Sequence, residues 1–206
     1  MIFERISVGH MANFAYLFAD EQTREGILID PAFDHEKLLR QINKHNINLQ
    51  YIILTHHHSD HVNASAKIKA RTGALVCCHS ETTNLLQGAA AHDKTINDGD
   101  QLKLGNKYIS CIHTPGHAPG SICLIVDNKW LVTGDTLFIG DCGRADLQGG
   151  DIKELYASML KLKQLPDHLI VCCGHNYGSM VERTLGEEKQ KNPCLTAESL
   201  EQFSGI

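Results

Sequence analysis

In the run Thr55-His56-His57-His58-Ser59-Asp60-His61, four side chains able to ligate a metal, His56, His58, Asp60 and His61, fall within six positions. His56 and His58 are two apart, so an extended or turning backbone aims both at one point, while Asp60 and His61 turn toward a neighbouring point. Imidazole and carboxylate donors suit zinc, manganese or iron. A solvated polar turn would also hold three histidines, with His57 as filler. The metal reading is preferred because the run lies between an apolar strand and a helix, where open α/β sheets place their ligands.

Three further residues complete such a site. His117 stands in Thr114-Pro115-Gly116-His117-Ala118-Pro119-Gly120-Ser121, Asp135 in Thr133-Gly134-Asp135-Thr136, and His175 in Cys173-Gly174-His175-Asn176-Tyr177. Singly, each is an ordinary turn residue. Together with the histidine run they put a ligand-type side chain at the ends of four strands, and each of the three follows a glycine that lets the backbone approach closely.

The elements that position these loops are legible as patterns. Strands are predicted over 2–8, 15–18, 26–30, 51–54 and 74–78, with helices over 35–45, capped by Asp34, and over 62–72, stopped by Gly73. From 98 to 130 the pattern changes to hairpins: strands over 101–104, 107–112, 121–126 and 130–133, the last pair joined by an Asp127-Asn128 turn. A helix over 152–163, a strand over 169–173 and a helix near 198–203 follow. Strands this apolar need cover on both faces, which implies two mixed sheets with helices outside.

The 206 residues, 42% hydrophobic and 21% charged, suffice for one domain spanning 1–206 with a sizeable core. A net charge of −5 gives no general polyanion-binding surface, so no nucleic-acid partner is expected. No apolar run reaches the ~20 residues that span a bilayer, and Glu4, Arg5 and His10 interrupt any export signal. The expectation is a cytoplasmic protein with no membrane partner; a homodimer is an open option. Eight cysteines occur without a CxxC, and Cys77-Cys78 and Cys172-Cys173 lie in strand-like runs where neighbours point to opposite faces. They read as reduced packing thiols, and Cys142 as a spacer or packing residue.

The chain resembles the metallo-β-lactamase superfamily, whose signature HxHxDH stands here as His56, His58, Asp60 and His61. The likeness covers essentially the whole chain. It implies an α/β fold, a four-layer αβ/βα sandwich of two mixed β-sheets flanked by helices, with a metal site in the cleft between the sheets. It implies that His56, His58 and His117 hold one metal, that Asp60, His61 and His175 hold a second, and that Asp135 bridges both. Two such ions stabilise a bridging hydroxide at neutral pH, the expected nucleophile, and Asp60 gains a catalytic role in orienting it or passing a proton to the leaving group.

The segments Gly134-Asp135-Thr136-Leu137-Phe138, Cys142-Gly143-Arg144 and His175-Asn176-Tyr177 resemble the glyoxalase II branch, hydroxyacylglutathione thioesterases. That resemblance gives Arg144 and Tyr177 the role of contacting glutathione, a guanidinium suiting a peptide carboxylate by bidentate pairing. The bland alternatives are an ion pair of Arg144 with Asp141 or Asp146, and a packing role for Tyr177. Glyoxalase II proper carries a further C-terminal helical region, so a compact relative is expected.

Cys142-Gly143-Arg144-Ala145-Asp146-Leu147-Gln148 and Glu187-Glu188 with Asn192-Pro193 also resemble persulfide dioxygenases, which use one Fe(II) on the counterparts of His56, His117 and Asp135. Two histidines and one carboxylate form the facial set that oxygen-using iron enzymes need. Gly174 and Gly178 resemble the bacterial hydrolase-type members. The expected function is therefore hydrolysis of a glutathione-type thioester, with persulfide oxidation to sulfite as the alternative. The expected cofactor is binuclear Zn2+, or Fe2+ in a mononuclear or mixed site, and the partner is a small thiol-derived substrate. A β-lactamase, a nucleic-acid-processing member and a non-enzymatic binding domain are less favoured. Asp30 is read either as a turn cap or as a hydrogen-bonding partner of the histidine run.

Overall fold

The computed structural model describes residues 1–86 and 92–206. In chain order the elements are β1 (Ile2–Val8), β2 (Asn13–Ala19), β3 (Glu25–Ile29), α1 (His35–Lys44), β4 (Asn48–Ile53), α2 (Ser59–Val62), α3 (Ser65–Thr72), β5 (Leu75–Cys78), α4 (Ser80–Thr83), β6 (Lys94–Thr95), β7 (Gln101–Leu104), β8 (Lys107–His113), β9 (Ile122–Val126), β10 (Trp130–Gly134), β11 (Leu137–Phe138), β12 (Asp141–Cys142), α5 (Ile152–Lys163), β13 (Ile170–Cys173), α6 (Leu185–Lys191), α7 (Pro193–Thr196) and α8 (Leu200–Ser204).

Strands β1 to β6 form one sheet in sequence order, antiparallel from β1 to β3 and parallel from β3 to β6. A second mixed sheet runs β13-β10-β9-β8-β7, parallel only between β13 and β10. Alternation along β2 explains why the sheets stack: Phe14, Tyr16 and Phe18 pack with Leu124, Val126 and Val132 of the second sheet, while Ala15 and Leu17 pack on the opposite side with Leu38, Ile42 and Ile68 of α1 and α3. On the far face of the second sheet, Leu131 and Val171 meet Leu155, Met159 and Leu162 of α5 together with Leu185, Leu195 and Phe203. Helix, sheet, sheet, helix is thus the expected four-layer αβ/βα sandwich.

The paired cysteines follow the same rule: Cys77 and Cys172 enter the layer between the sheets, Cys78 and Cys173 the outer layers. Asp127 and Asn128 both have positive φ, as the tight β9–β10 hairpin requires. Asp151 caps α5 through two backbone N–H groups, and Gly73 ends α3 in the left-handed region.

Three expectations need correction. The helix expected over 62–72 starts later, as α3, and a separate short helix, α2, falls within the histidine run, with Asn63 and Ala64 between the two. Asp34 precedes α1 at φ 52° without capping it; its carboxylate accepts instead from the Gly9 N–H at 2.9 Å. Short elements with too few residues for a periodic signal, α4, β6, the β11–β12 hairpin, α6 and α7, were not predicted. Among the described residues, no helix is long and apolar enough to cross a membrane.

Candidate metal centre

All seven predicted ligands leave the same edge of the sandwich. His56 to His61 follow β4, His117 lies in the β8–β9 loop, Asp135 follows β10 and His175 follows β13. His56, His58 and His117 form one group whose donor atoms lie within 4.8 Å of one another, and Asp60, His61 and His175 form another. Asp135 stands between them, Oδ2 at 3.2 Å from His175 Nε2 and 3.7 Å from His117 Nε2, and Oδ1 at 3.4 Å from His61 Nε2. Close approach is possible because Gly174 has no side chain: a Cβ there would collide with Asp135 Oδ1.

The hydrogen bonds behind the rings decide which nitrogens face the centre. His117 Nδ1 lies 2.8 Å from the Arg144 carbonyl, and His175 Nδ1 2.8 Å from the Met11 carbonyl. A carbonyl only accepts, so both Nδ1 atoms carry hydrogen and both Nε2 atoms turn inward. His61 Nδ1 faces Asp30 Oδ2 at 3.0 Å, and Thr55 Oγ1, which donates to Asp30, is 3.0 Å from His56 Nδ1. Inward-facing nitrogens therefore crowd together: His61 Nε2 and His175 Nε2 at 3.1 Å, His58 Nδ1 and His117 Nε2 at 3.0 Å. His56 Nε2 and Asp135 Oδ1 are buried with no protein partner. Such donors fit a cation in each half of the site.

Electrostatics divide the site. Burial, then the charge of His61, holds His56 well below the ordinary imidazole value, and burial beside His117 brings His58 down to about 4. Burial also opposes charge on His61 and His175, yet Asp135 and Asp30 raise His61 well above the ordinary value, and hydrogen bonds to Asp135 and Asp60 carry His175 to about 9. Against the effect of burial, His61 and His175 hold the Asp135 carboxyl far below the usual range. Without a cation, the second half of the site therefore keeps its charge balance with imidazolium protons. Adding Zn2+ to metal-free protein near neutral pH should release at least one proton per chain, from the His61 and His175 pair. Apparent affinity should rise with pH up to about 9, as His175 gives up its proton unaided. An indicator-dye titration that detects no proton release would refute this picture.

Asp30 has the connecting role that the sequence left open. Its carboxylate accepts from Thr55 N–H and Oγ1, both at 2.7 Å, and holds His61. Asn13 is a residue that sequence reasoning missed. Its Nδ2 donates to Asp60 Oδ2 at 3.0 Å and to the Asp60 carbonyl at 3.1 Å. Its full burial at the start of the otherwise apolar β2 is visible only in the fold. Asn13→Ala should reduce affinity for the second metal by about 10–100-fold while leaving the fold intact, measured by competition with a chelating dye.

The residues open into a cleft of about 340 Å³ lined also by Met11, Phe138, Cys142, Gly143, Arg144, Leu147 and Tyr177. Arg144 lies at its mouth in an exposed ion pair with Asp146, Nε to Oδ1 and Nη2 to Oδ2 both at 2.6 Å. Tyr177 is 59% exposed and stacks on the His175 ring at 4.6 Å. Both alternatives weighed from the sequence are thus present, an ion pair for Arg144 and packing for Tyr177, and both side chains still border the cleft. His10 is not among the residues lining it; its ring packs against Phe33.

A four-layer sandwich with a histidine and aspartate cluster at one sheet edge is the architecture of the metallo-β-lactamase superfamily. The family model described as Metallo-beta-lactamase superfamily matches residues 8–175, and the chain belongs to this family. Among its relatives, human mitochondrial persulfide dioxygenase ETHE1 is 35% identical over 100% of this chain and 78% of its own length. Hydroxyacylglutathione hydrolase GloC of Haemophilus influenzae is 34% identical over 91% of this chain and 94% of its own. Of solved structures, ETHE1 from Myxococcus xanthus superposes with a TM-score of 0.90 at 32% identity, covering 100% of this chain and 89% of that one. TTHA1623 in a di-iron-bound form gives 0.80 at 31% identity, covering 92% and 98%.

Proposed function

We propose that this metal-dependent enzyme, working as one domain over 1–206, hydrolyses a glutathione-type thioester. Its ligands would be His56, His58 and His117 on one side, Asp60, His61 and His175 on the other, with Asp135 between. The supporting observation is the second group, with Asp60 Oδ2 3.5 Å from His61 Nε2 and 3.4 Å from His175 Nε2, which gives a second ion a place; persulfide dioxygenases keep the same motif residues, so the reaction test below separates the two readings. Zinc or iron bound there would lower the pKa of water and polarise a carbonyl oxygen.

The chain's own groups supply the rest. Asp60 keeps 18% of its side chain exposed at the cleft floor, and burial, which would raise its pKa, is outweighed by hydrogen bonds from His175 and Asn13 and by the charge of His61. A carboxylate held so firmly ionised orients a nucleophile better than it stores a proton. Met11, Phe138 and Leu147 give the cleft apolar walls, and under this reading Tyr177 and Arg144 would face the thiol carrier. Arg144 must exchange Asp146 for the substrate carboxylate, so the gain is in selectivity more than affinity. Arg144→Ala should raise KM for glutathione thioesters several-fold with metal content unchanged; an unaltered KM would discard that role.

A second reading is favoured by a specific observation. His56, His117 and Asp135 by themselves form a two-histidine, one-carboxylate set, and the persulfide dioxygenase ETHE1 is similar over the entire chain. Oxygen uptake by anaerobically iron-loaded protein given glutathione persulfide, beside a zinc-loaded sample, separates the two. Rapid uptake by the iron form alone would replace hydrolysis with persulfide oxidation. With iron confirmed bound and no uptake, zinc-loaded protein should cleave acyl-glutathiones.

A further inference from the structure

Cys142 and Cys194 meet beside the cleft although they are far apart in sequence. Cys142, half-buried, ends β12 and lines the cleft, whereas Cys194 lies in the first turn of α7 and is 1% exposed. Their sulfur atoms and the Asp141 carboxylate all lie within 4.8 Å of one another. Cys194 Sγ points at Asp141 Oδ1, 3.7 Å away.

A buried polar network keeps the sulfurs in register. Asn192 Nδ2 donates to the carbonyls of Phe138 and Asp141, at 3.1 and 2.9 Å, and the Gly140 N–H donates to Glu188 Oε2 at 2.8 Å. These bonds dock α6 and α7 onto the β11–β12 hairpin. The other six cysteines are buried in the apolar layers. Nothing in either reading of the active site uses this pair.

We propose that Cys142 and Cys194 form a thiol–disulfide exchange site in the wall of the cleft, reacting with low-molecular-weight disulfides of the glutathione class. Cys142, the sulfur that faces the cleft, loses its proton and attacks one sulfur of the incoming disulfide. That S–S bond breaks, a mixed disulfide forms on Cys142, and the departing thiolate takes up a proton. Cys194 then passes its proton to Asp141 and attacks Cys142 Sγ, which expels the second thiol. Two protein thiols are oxidised to one disulfide, and the external disulfide is reduced to two thiols.

The product would tie the cleft wall to α7. Because the Arg144 carbonyl holds His117 Nδ1, closing this bond stiffens the segment that orients a proposed ligand. The neighbouring Cys194 thiol and burial both raise the pKa of the Cys142 thiol, so exchange is slow at neutral pH and faster in alkali.

Reduced full-length protein is incubated with oxidised glutathione at about pH 8.5, quenched in acid, alkylated and mapped by peptide mass. The expected product is a cross-link between the peptides carrying Cys142 and Cys194, with the other six cysteines alkylated. Cys194→Ala should stop at glutathione on Cys142, and Cys142→Ala should leave Cys194 free. Wild-type protein that stops at the mixed disulfide, stays fully reduced, or pairs either cysteine elsewhere overturns the proposal.

Discussion

Asp135→Ala should lower kcat/KM by more than about a thousandfold, ~4 kcal/mol in the barrier, whichever of the two reactions the enzyme performs. Asp135 is 8% exposed and is the one carboxylate in reach of His61, His117 and His175 at once. Removing it would take a proposed ligand from both halves of the site. It also leaves His61 with Asp30 and His175 with Asp60 as their remaining carboxylate partners, so burial shifts both rings toward their neutral forms. Metal content should fall in parallel, and the melting temperature of the metal-free variant should show that the fold survives. Asp135→Asn, equal in shape and lacking the charge, should recover little. An Ala variant that retains a tenth of wild-type activity with full metal content would refute the central placement of Asp135.

His175→Ala should separate the readings that Asp135→Ala cannot. If the enzyme is a thioester hydrolase, the variant loses one of two metal equivalents and about a hundredfold in kcat/KM, ~2.7 kcal/mol. If it is a dioxygenase, one iron stays on His56, His117 and Asp135, and oxygen uptake persists within a few-fold. Because Tyr177 stacks on the His175 ring, KM is to be followed as well as kcat: a change in KM alone reports the lost stack and leaves the metal assignment standing. Full hydrolase activity with two metals retained would remove His175 from the proposed ligand set.

Much of the candidate site was legible because its residues are chemically unusual where they stand. A histidine, aspartate, histidine run after an apolar strand is hard to explain as packing, and His117, Asp135 and His175 each follow a glycine at a strand end. The longer strands were equally plain, since the apolar runs of β2, of the second half of β4 and of the start of β10 mark strands covered on both faces. What escaped notice has a common cause. Asn13 and the Met11 and Arg144 carbonyls act by hydrogen bonds to residues distant in the chain. A backbone carbonyl carries no signature in a sequence, and an asparagine at the start of a strand reads as an ordinary turn residue.

The sequence by itself determined the superfamily, the layer order and the donor types, because hydrophobic period and ligand chemistry are local properties of the chain. Only the tertiary structure decided which nitrogen of each ring faces inward, that Asp30 pairs with His61, and that Cys142 lies against Cys194. Tautomer, charge pairing and sulfur contact depend on what the fold places on the other side of each group. Those partners come from different strands and helices, so no spacing along the chain encodes them.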